Sequence, residues 1–186
     1  MFTFFNRKRK NSNKLEKLSN DCVLDSLSNA GLVRDNNEDR VVTVVHPKNK
    51  NLKLLAVADG VGGYENGEVA SNFTVTTLEK WFTNLSEDLI NNSRYMKKSI
   101  VQIIKFINNY LYIVKSCRNG CGTTLTCAII NNHDTIIANI GDSRAYIMKN
   151  NEIKQITRDD SLVWYYYEAG DLSKDQMRFH KKSSLI

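Results

Sequence analysis

The sequence predicts an α+β protein in which helices cover an antiparallel β-sheet. Runs of β-branched and apolar residues separated by short polar turns occur near both ends of the chain, and two stretches with helical periodicity lie between them. Strands, then two consecutive helices, then strands again cannot form a strictly alternating parallel sheet. With 186 residues, 41% of them hydrophobic and 25% charged, the chain has the size and balance of one globular domain.

The first strands are predicted before the glycine-rich part of the chain. A short strand is expected over residues 22–27, followed by a loop rich in Asn and Asp over residues 28–37. The β-branched run 41–45 and the apolar run 52–58 flank a polar turn, which predicts a hairpin. Because His46 falls in that turn, we expect its side chain to be exposed.

Two helices are predicted after the glycine-rich loop 59–67. The first is indicated by residues that recur at three- and four-residue spacing, namely Ala70, Phe73, Thr77, Leu78, Trp81 and Leu85. The second has one apolar stripe, formed by Ile100, Ile103, Ile104, Ile107, Leu111 and Val114. Both stripes are predicted to face the core.

The rest of the chain returns to strand patterns. Four runs separated by Asn, Asp and Gly turns predict antiparallel hairpins, at residues 124–130, 135–140, 144–148 and 153–156. Residues 159–170 have a helical composition, and residues 171–180 are polar and predicted to be irregular.

The net charge of +6 is concentrated at the start of the chain. Residues 1–18 hold six Lys and Arg against one Glu, so the remaining residues have 20 Lys and Arg against 19 Asp and Glu. We therefore predict a basic flexible leader at residues 1–20, a folded domain at residues 21–186 and no nucleic-acid binding. The leader begins with three Phe residues before its basic run, and weak contact with an anionic membrane surface is the one membrane interaction expected.

Cysteine usage and hydropathy predict a cytoplasmic protein. No apolar run approaches the roughly 20 residues of a membrane-spanning helix, and no secretory signal pattern follows the basic residues. Four cysteines are too few for a disulfide framework in a chain of this length. We expect Cys127 to pack in a strand and the other thiols to be reduced.

Acidic residues occur where predicted strands begin or end. Glu38 and Asp39 precede the first hairpin, Asp59 follows it, and Asp142 follows a later strand. Loop carboxylates supported by a rigid sheet form sites for Mg²⁺ and Mn²⁺, which prefer oxygen ligands. The glycines that begin at Gly60 leave room for close approach of the backbone to an ion. Taken singly, each acidic residue also fits an ordinary turn.

The order of five short motifs is more specific than any one of them. The chain contains RDNNED at 34–39, ADGVGG at 58–63, GEVAS at 67–71, GTTL at 122–125 and IGDSRAY at 140–146. This series resembles the bacterial branch of the type 2C (PPM) family of metal-dependent protein serine/threonine phosphatases, and the resemblance runs from about residue 26 to residue 186.

The resemblance implies a four-layer αββα fold, in which two packed antiparallel sheets are flanked by helices, and a binuclear Mn²⁺ or Mg²⁺ centre. Asp59 would bridge the two metal ions and the carbonyl group of Gly60 would bind one of them. Asp39, with Glu38 nearby, would hold the centre directly or through water. Asp142 matches an aspartate of an additional, weaker metal site.

The implied reaction is hydrolysis of phosphoserine and phosphothreonine in proteins by a metal-activated water. Asp39 and Asp59 would serve catalysis through the metal ions, and Arg34 matches the family's phosphate-binding arginine. The expected partners are phosphorylated proteins, substrates of a serine/threonine kinase, and a monomer is expected. His180 falls where the family has a His-Pro pair, although Lys181 replaces the proline here. His180 is therefore a candidate proton donor or structural residue.

Two metal-binding motifs of the family, Ser-Asp-Gly and Asp-Asn, have no counterpart in this sequence. We therefore expect a partial, C-terminally truncated phosphatase domain. Two alternatives remain open: a catalytically inactive module that binds phosphoproteins or a partner kinase, and a non-functional fragment.

Overall fold

The computed structural model describes residues 23–32, 34–61, 66–113, 121–131, 134–177 and 179–182. Eight strands and five helices lie in these ranges. In chain order they are β1 (Arg40–His46), β2 (Asn49–Ala58), β3 (Gly60–Val61), α1 (Gly67–Thr83), α2 (Glu87–Ile90), α3 (Ser93–Ile113), β4 (Gly122–Thr123), β5 (Leu125–Asn131), β6 (Asp134–Ile140), β7 (Tyr146–Lys149), β8 (Glu152–Gln155), α4 (Leu162–Glu168) and α5 (Lys174–Met177).

Four strands form the main sheet, in the order β1-β2-β5-β6, and every neighbouring pair is antiparallel. The register aligns Val42 with Ala56, Ala56 with Cys127, and Cys127 with Ala138, so one row of small and apolar side chains crosses the sheet. Two short ladders, β3–β4 and β7–β8, accompany it. The α+β class with antiparallel sheets is confirmed.

The core lies between one face of this sheet and the helices α1 and α3. Alternate residues of the central strands β2 and β5 meet the apolar stripes of the two helices, as the period of two in strands and 3.6 in helices requires. The cluster contains Leu52, Leu54, Ala56, Leu78, Phe82, Ile100, Ile107, Leu125, Cys127 and Ile129, among others. Among the helices described, none has the length and apolar character needed to cross a bilayer.

The hairpins and both long helices are confirmed, with shifted bounds. The strand predicted over residues 22–27 is wrong for its described part, because residues 23–27 form no strand. This segment is mostly exposed, and the carboxyl group of Asp25 accepts a local hydrogen bond of 2.8 Å from the Ser26 N–H. The predicted leader, residues 1–20, lies outside the described residues.

His46 is buried, contrary to the expectation of an exposed turn residue. Strand β1 continues through His46 after an irregularity at Val45, and the imidazole is 1% exposed with its ring edge-on to Phe82 at 5.6 Å. Its Nδ1 accepts a hydrogen bond of 3.3 Å from the Lys48 N–H. Burial, with a smaller contribution from the charge of Lys48, lowers the pKa of His46.

The two described cysteines differ in oxidation state, since one is a free thiol and the other is disulfide-bonded. Cys127 packs as predicted in β5, and its burial raises the pKa of the thiol to about 12. Cys121 is disulfide-bonded. The expectation of a reduced thiol is wrong for this residue.

Candidate metal and phosphate site

The register of the first hairpin brings two aspartates together. Arg40 at the start of β1 pairs with Ala58 at the end of β2. Asp39 therefore precedes the hairpin at the same end at which Asp59 follows it. The two carboxyl groups are close enough to interact electrostatically.

The electrostatics of this pair favour a cation. Desolvation raises the pKa of Asp59 to about 6, helped by the charge and hydrogen bond of Asp39 and by the charge of Asp142, while Arg34 acts in the opposite direction. The ionised form of Asp59 is thus destabilised by desolvation and by repulsion from the carboxylates of Asp39 and Asp142. A divalent ion between the carboxylates would relieve this repulsion.

A polar cavity of about 190 Å³ opens at the two aspartates. It is lined by Asn29, Ala30, Arg34, Asn36, Asn37, Glu38, Asp39, Asp59 and Gly60. Five of the six residues predicted from the sequence to bind metal or phosphate therefore meet in one cavity. Asp142 is not among the lining residues, although its charge acts on Asp59.

The acidic pair fits a hard cation that keeps part of its water shell. Within the described ranges, no group of three or more His, Cys, Asp or Glu side chains could hold a metal ion. Mg²⁺ is commonly bound through one or two protein carboxylates, with waters completing its coordination. Asp39, Asp59 and the carbonyl group of Gly60 match that kind of site.

Close backbone packing explains the glycine after Asp59. A Cβ atom at Gly60 would overlap the Gly67 carbonyl oxygen and lie 2.7 Å from the Glu38 carbonyl oxygen. A Cβ atom at Gly67 would in turn lie 3.0 Å from the Glu38 carboxyl group. Two residues without side chains thus let the acidic loop, β3 and the start of α1 meet.

Thr124 holds the backbone of Asp59 from the opposite side. The Thr124 N–H donates to the Asp59 carbonyl oxygen at 2.9 Å, and the Asp59 N–H donates to the Thr124 hydroxyl oxygen at 3.1 Å. Thr123 adds a hydroxyl hydrogen bond of 3.0 Å to the same carbonyl oxygen. The motif GTTL indicated this segment from the sequence, but nothing in the spacing assigned its hydroxyl groups to Asp59.

The same threonine contacts the loop that carries Asp142. The hydroxyl oxygens of Thr124 and Ser143 are 2.7 Å apart, and a Cβ atom at Gly141 would lie 2.7 Å from the Thr124 methyl group. Gly141 also has a φ of +91°, a conformation that other residues rarely adopt. Thr124 therefore links the loops of Asp59 and Asp142.

His180 belongs to a different region. It lines a cavity of about 480 Å³ with Leu172, Asp175, Gln176 and Phe179, and its ring lies 5.7 Å from that of Tyr166. The two cavities share no lining residue. The geometry does not bring His180 to the acidic pair.

Known proteins resemble this chain in sequence and in fold. The family described as Protein phosphatase 2C matches residues 19–162. Serine/threonine phosphatase stp of Listeria welshimeri is 34% identical over 158 residues, which cover 84% of this chain and 62% of that protein.

Two solved structures extend the similarity. A serine/threonine phosphatase of S. agalactiae superposes with a TM-score of 0.78 at 28% identity, covering 86% of this chain and 65% of that one. The catalytic domain of PstP, solved in complex with two manganese ions, gives a TM-score of 0.64 at 31% identity, covering 81% of this chain and 61% of that one.

This chain spans less than two thirds of the length of each of these relatives. The family match nevertheless extends over well over half of the chain. It includes the acidic hairpin, both long helices and the strands that hold Asp59 and Asp142. The chain therefore belongs to the protein phosphatase 2C family.

Proposed function

We propose that this chain hydrolyses phosphoserine and phosphothreonine in proteins with the help of divalent metal ions. One observation carries the proposal: Asp39 and Asp59, whose carboxyl groups act on each other electrostatically, line the same cavity as the guanidinium-bearing residue Arg34. Cation ligands and an anion-binding group side by side are what a metal-dependent phosphatase requires. The relatives named above, which are serine/threonine phosphatases, support this choice.

Asp39, Asp59 and the carbonyl group of Gly60 would hold Mn²⁺ or Mg²⁺ in a binuclear centre. Bound there, the ions would supply Lewis-acid activation of water and charge neutralisation. Glu38 lines the same cavity and would act on the centre directly or through water. Asp142, whose charge reaches Asp59, would serve a third metal site.

Arg34 would bind and orient the phosphate group. It lines the cavity, and its charge lowers the pKa of Asp59, so its guanidinium group lies within electrostatic reach of the acidic pair. A guanidinium group stays ionised at any working pH and can donate to two phosphate oxygens at once. Asp39 and Asp59 repel an unaccompanied phosphate, and Arg34 offsets part of that repulsion.

The proposed partners are phosphorylated proteins that a serine/threonine kinase produces. We also propose that the chain is a cytoplasmic monomer. No nucleic-acid ligand is proposed, because nearly all of the net positive charge lies in residues 1–18. Weak contact of this leader with an anionic membrane surface is part of the same proposal.

A second candidate is a phosphoprotein-binding or kinase-binding module without turnover. It is favoured by the observation that no group of three acidic, His or Cys side chains in the described part of the chain could hold a metal ion. Such a module would keep phosphate binding through Arg34. A non-functional fragment would show neither binding nor turnover.

The proposal is tested by Mn²⁺-dependent hydrolysis of p-nitrophenyl phosphate and of a phosphothreonine peptide, with Asp59→Asn as the control. We expect turnover in the wild-type chain that falls by at least about 100-fold in the variant, because a carboxylate that would hold the metal ions is lost. Equal rates in the two proteins would remove the catalytic proposal. Peptide binding that depends on Arg34 without turnover would select the binding module.

A further inference from the structure

Arg40, the first residue of β1, holds the segment that carries Asp39. Its Nη1 donates to the Asn37 carbonyl oxygen at 2.7 Å and to the Asp39 carbonyl oxygen at 2.8 Å. Its Nη2 pairs with Glu68 Oε1 at 2.5 Å, in the first turn of α1. One guanidinium group therefore ties two carbonyl groups of the acidic loop to a helix.

The carbonyl group between these two is also held by α1. The Ser71 hydroxyl donates to the Glu38 carbonyl oxygen at 2.5 Å, and Ser71 is wholly buried. Three consecutive carbonyl groups thus accept hydrogen bonds from side chains. Those of Asn37 and Asp39 accept from Arg40, which is paired with Glu68 of α1, and that of Glu38 accepts from Ser71 of α1. The backbone that aims the Asp39 carboxyl group is fixed by this contact with the helix.

Arg40 differs from an ordinary surface ion pair. Exposed ion pairs contribute little to stability. Arg158 and Glu168 form such a pair, since their side chains are 55% and 45% exposed. The Arg40 side chain is 28% exposed, and its Nη1 donates to two backbone carbonyl groups. Hydrogen bonds of this planar, charged donor fix backbone geometry.

We propose that Arg40 is a positioning residue for the Asp39 carboxylate, acting through the carbonyl groups of Asn37 and Asp39 and not through its charge. The inference rests on the proposed function, in which Asp39 binds a divalent cation. If Arg40 acted only through its positive charge, it would repel a metal ion at the acidic site and lower the metal affinity. If Arg40 positions the Asp39 carboxylate, it raises the metal affinity. The two roles therefore predict opposite effects of removing Arg40.

The positioning role is tested first without metal, by hydrogen–deuterium exchange of Arg40→Met and Arg40→Lys. We expect peptides covering residues 35–40 to exchange at least about fivefold faster in both variants, because a lysine ammonium group cannot reproduce the planar fork. Peptides from α3 should exchange as in the wild type. Unchanged exchange at residues 35–40 would overturn the proposal, whether or not the chain binds metal.

Mn²⁺ affinity, measured by isothermal titration calorimetry, is the second test. Loss of groups that support metal ligands typically costs 10–100-fold in affinity, so we expect the Kd of Arg40→Met to rise by about tenfold or more. Arg40→Lys should behave in the same direction although its charge is retained. Glu68→Gln should raise the Kd less, because the Nη1 contacts remain.

Arg158→Met is the matched control, since it removes an exposed ion pair far from the acidic loop in sequence and is expected to leave the Kd unchanged. An unchanged or lower Kd in Arg40→Met would overturn the positioning role. Absence of Mn²⁺ binding by the wild-type chain would overturn the proposed function instead, and the exchange experiment would still decide the role of Arg40.

Discussion

Thr124 and Asp59 hold each other through a reciprocal pair of hydrogen bonds, from the Thr124 N–H to the Asp59 carbonyl oxygen at 2.9 Å and from the Asp59 N–H to the Thr124 hydroxyl oxygen at 3.1 Å. Thr124 is 1% exposed, so its own N–H and hydroxyl groups have no alternative partner in bulk water. The position of the acidic residue therefore depends on Thr124, which lies between β4 and β5 and 65 residues later in the chain.

Thr124→Val is expected to destabilise the protein by about 1–3 kcal/mol, because it leaves the Asp59 N–H without an acceptor. Thr124→Ser keeps the hydroxyl group and loses the methyl group beside Gly141, and it should cost about 1 kcal/mol. Urea unfolding of the three proteins measures both effects. A valine variant as stable as the serine variant would contradict the role given to this hydroxyl group.

Gly60→Ala is expected to destabilise the protein by about 1–3 kcal/mol or more, because the new methyl group would overlap the backbone of Gly67 and lie close to that of Glu38. Gly122→Ala is the matched control. A Cβ atom at Gly122, in the strand paired with β3, meets no atom within 4 Å. Thermal unfolding should separate the two variants, and equal melting temperatures would show that the loop has room the structure does not indicate.

Asp59→Asn is expected to stabilise the metal-free protein at neutral pH. The pKa of Asp59 is about 6 in the folded protein against an ordinary value of 3.8. The folded state therefore retains a proton that the unfolded chain releases, and ionisation lowers stability as the pH rises from about 4 to about 6. The variant lacks this penalty.

The measurement is the difference in unfolding free energy between Asp59→Asn and the wild type at pH 4 and at pH 7.5. This difference should favour the variant more at pH 7.5. Addition of Mn²⁺ should raise the melting temperature of the wild type and leave the variant unchanged. A pH-independent difference would mean that neither desolvation nor the neighbouring carboxylates raise the pKa of Asp59 in the fold.

His46→Gln is expected to reduce acid sensitivity. Burial against Phe82 lowers the pKa of His46, so between the lowered value and about pH 6.5 the unfolded chain binds a proton that the folded protein does not. The stability that depends on neutral His46 is present above about pH 6.5 and is lost as the pH falls. Urea unfolding at pH 7.5 and pH 5.5 should show a smaller decline for the variant, and parallel declines would count against this assignment.

The hairpins and the two long helices could be predicted because their signals are local. The β-branched residues of β1 and the apolar stripe that includes Ile100 and Ile107 of α3 specify strand and helix without knowledge of the rest of the chain. The ladder between β3 and β4 could not be predicted in this way. It pairs only Gly60 with Thr123 and Val61 with Gly122, across some 60 residues, and two-residue strands have no periodicity.

At the candidate site, the sequence motifs indicated which acidic residues could bind metal. They did not indicate which other residues hold those acidic residues in place. The hairpin of β1 and β2 was predicted, and its register brings Asp39 and Asp59 to the same end. The contacts of Arg40 with Glu68 and of Thr124 with Ser143 depend on the packing of elements distant in sequence. The burial of His46 was missed for the same reason, since a turn residue is exposed unless another element, here Phe82 of α1, covers it.

In the proposed function, Asp39 and Asp59 bind a shared divalent cation beside Arg34. The most direct test is anomalous X-ray diffraction at the manganese edge from crystals of the chain soaked in Mn²⁺. We predict a peak within bonding distance, about 2.0–2.6 Å, of oxygens of both carboxyl groups, by analogy with other hard cations. No peak at the pair under saturating Mn²⁺, or a peak only elsewhere in the molecule, would contradict the claim.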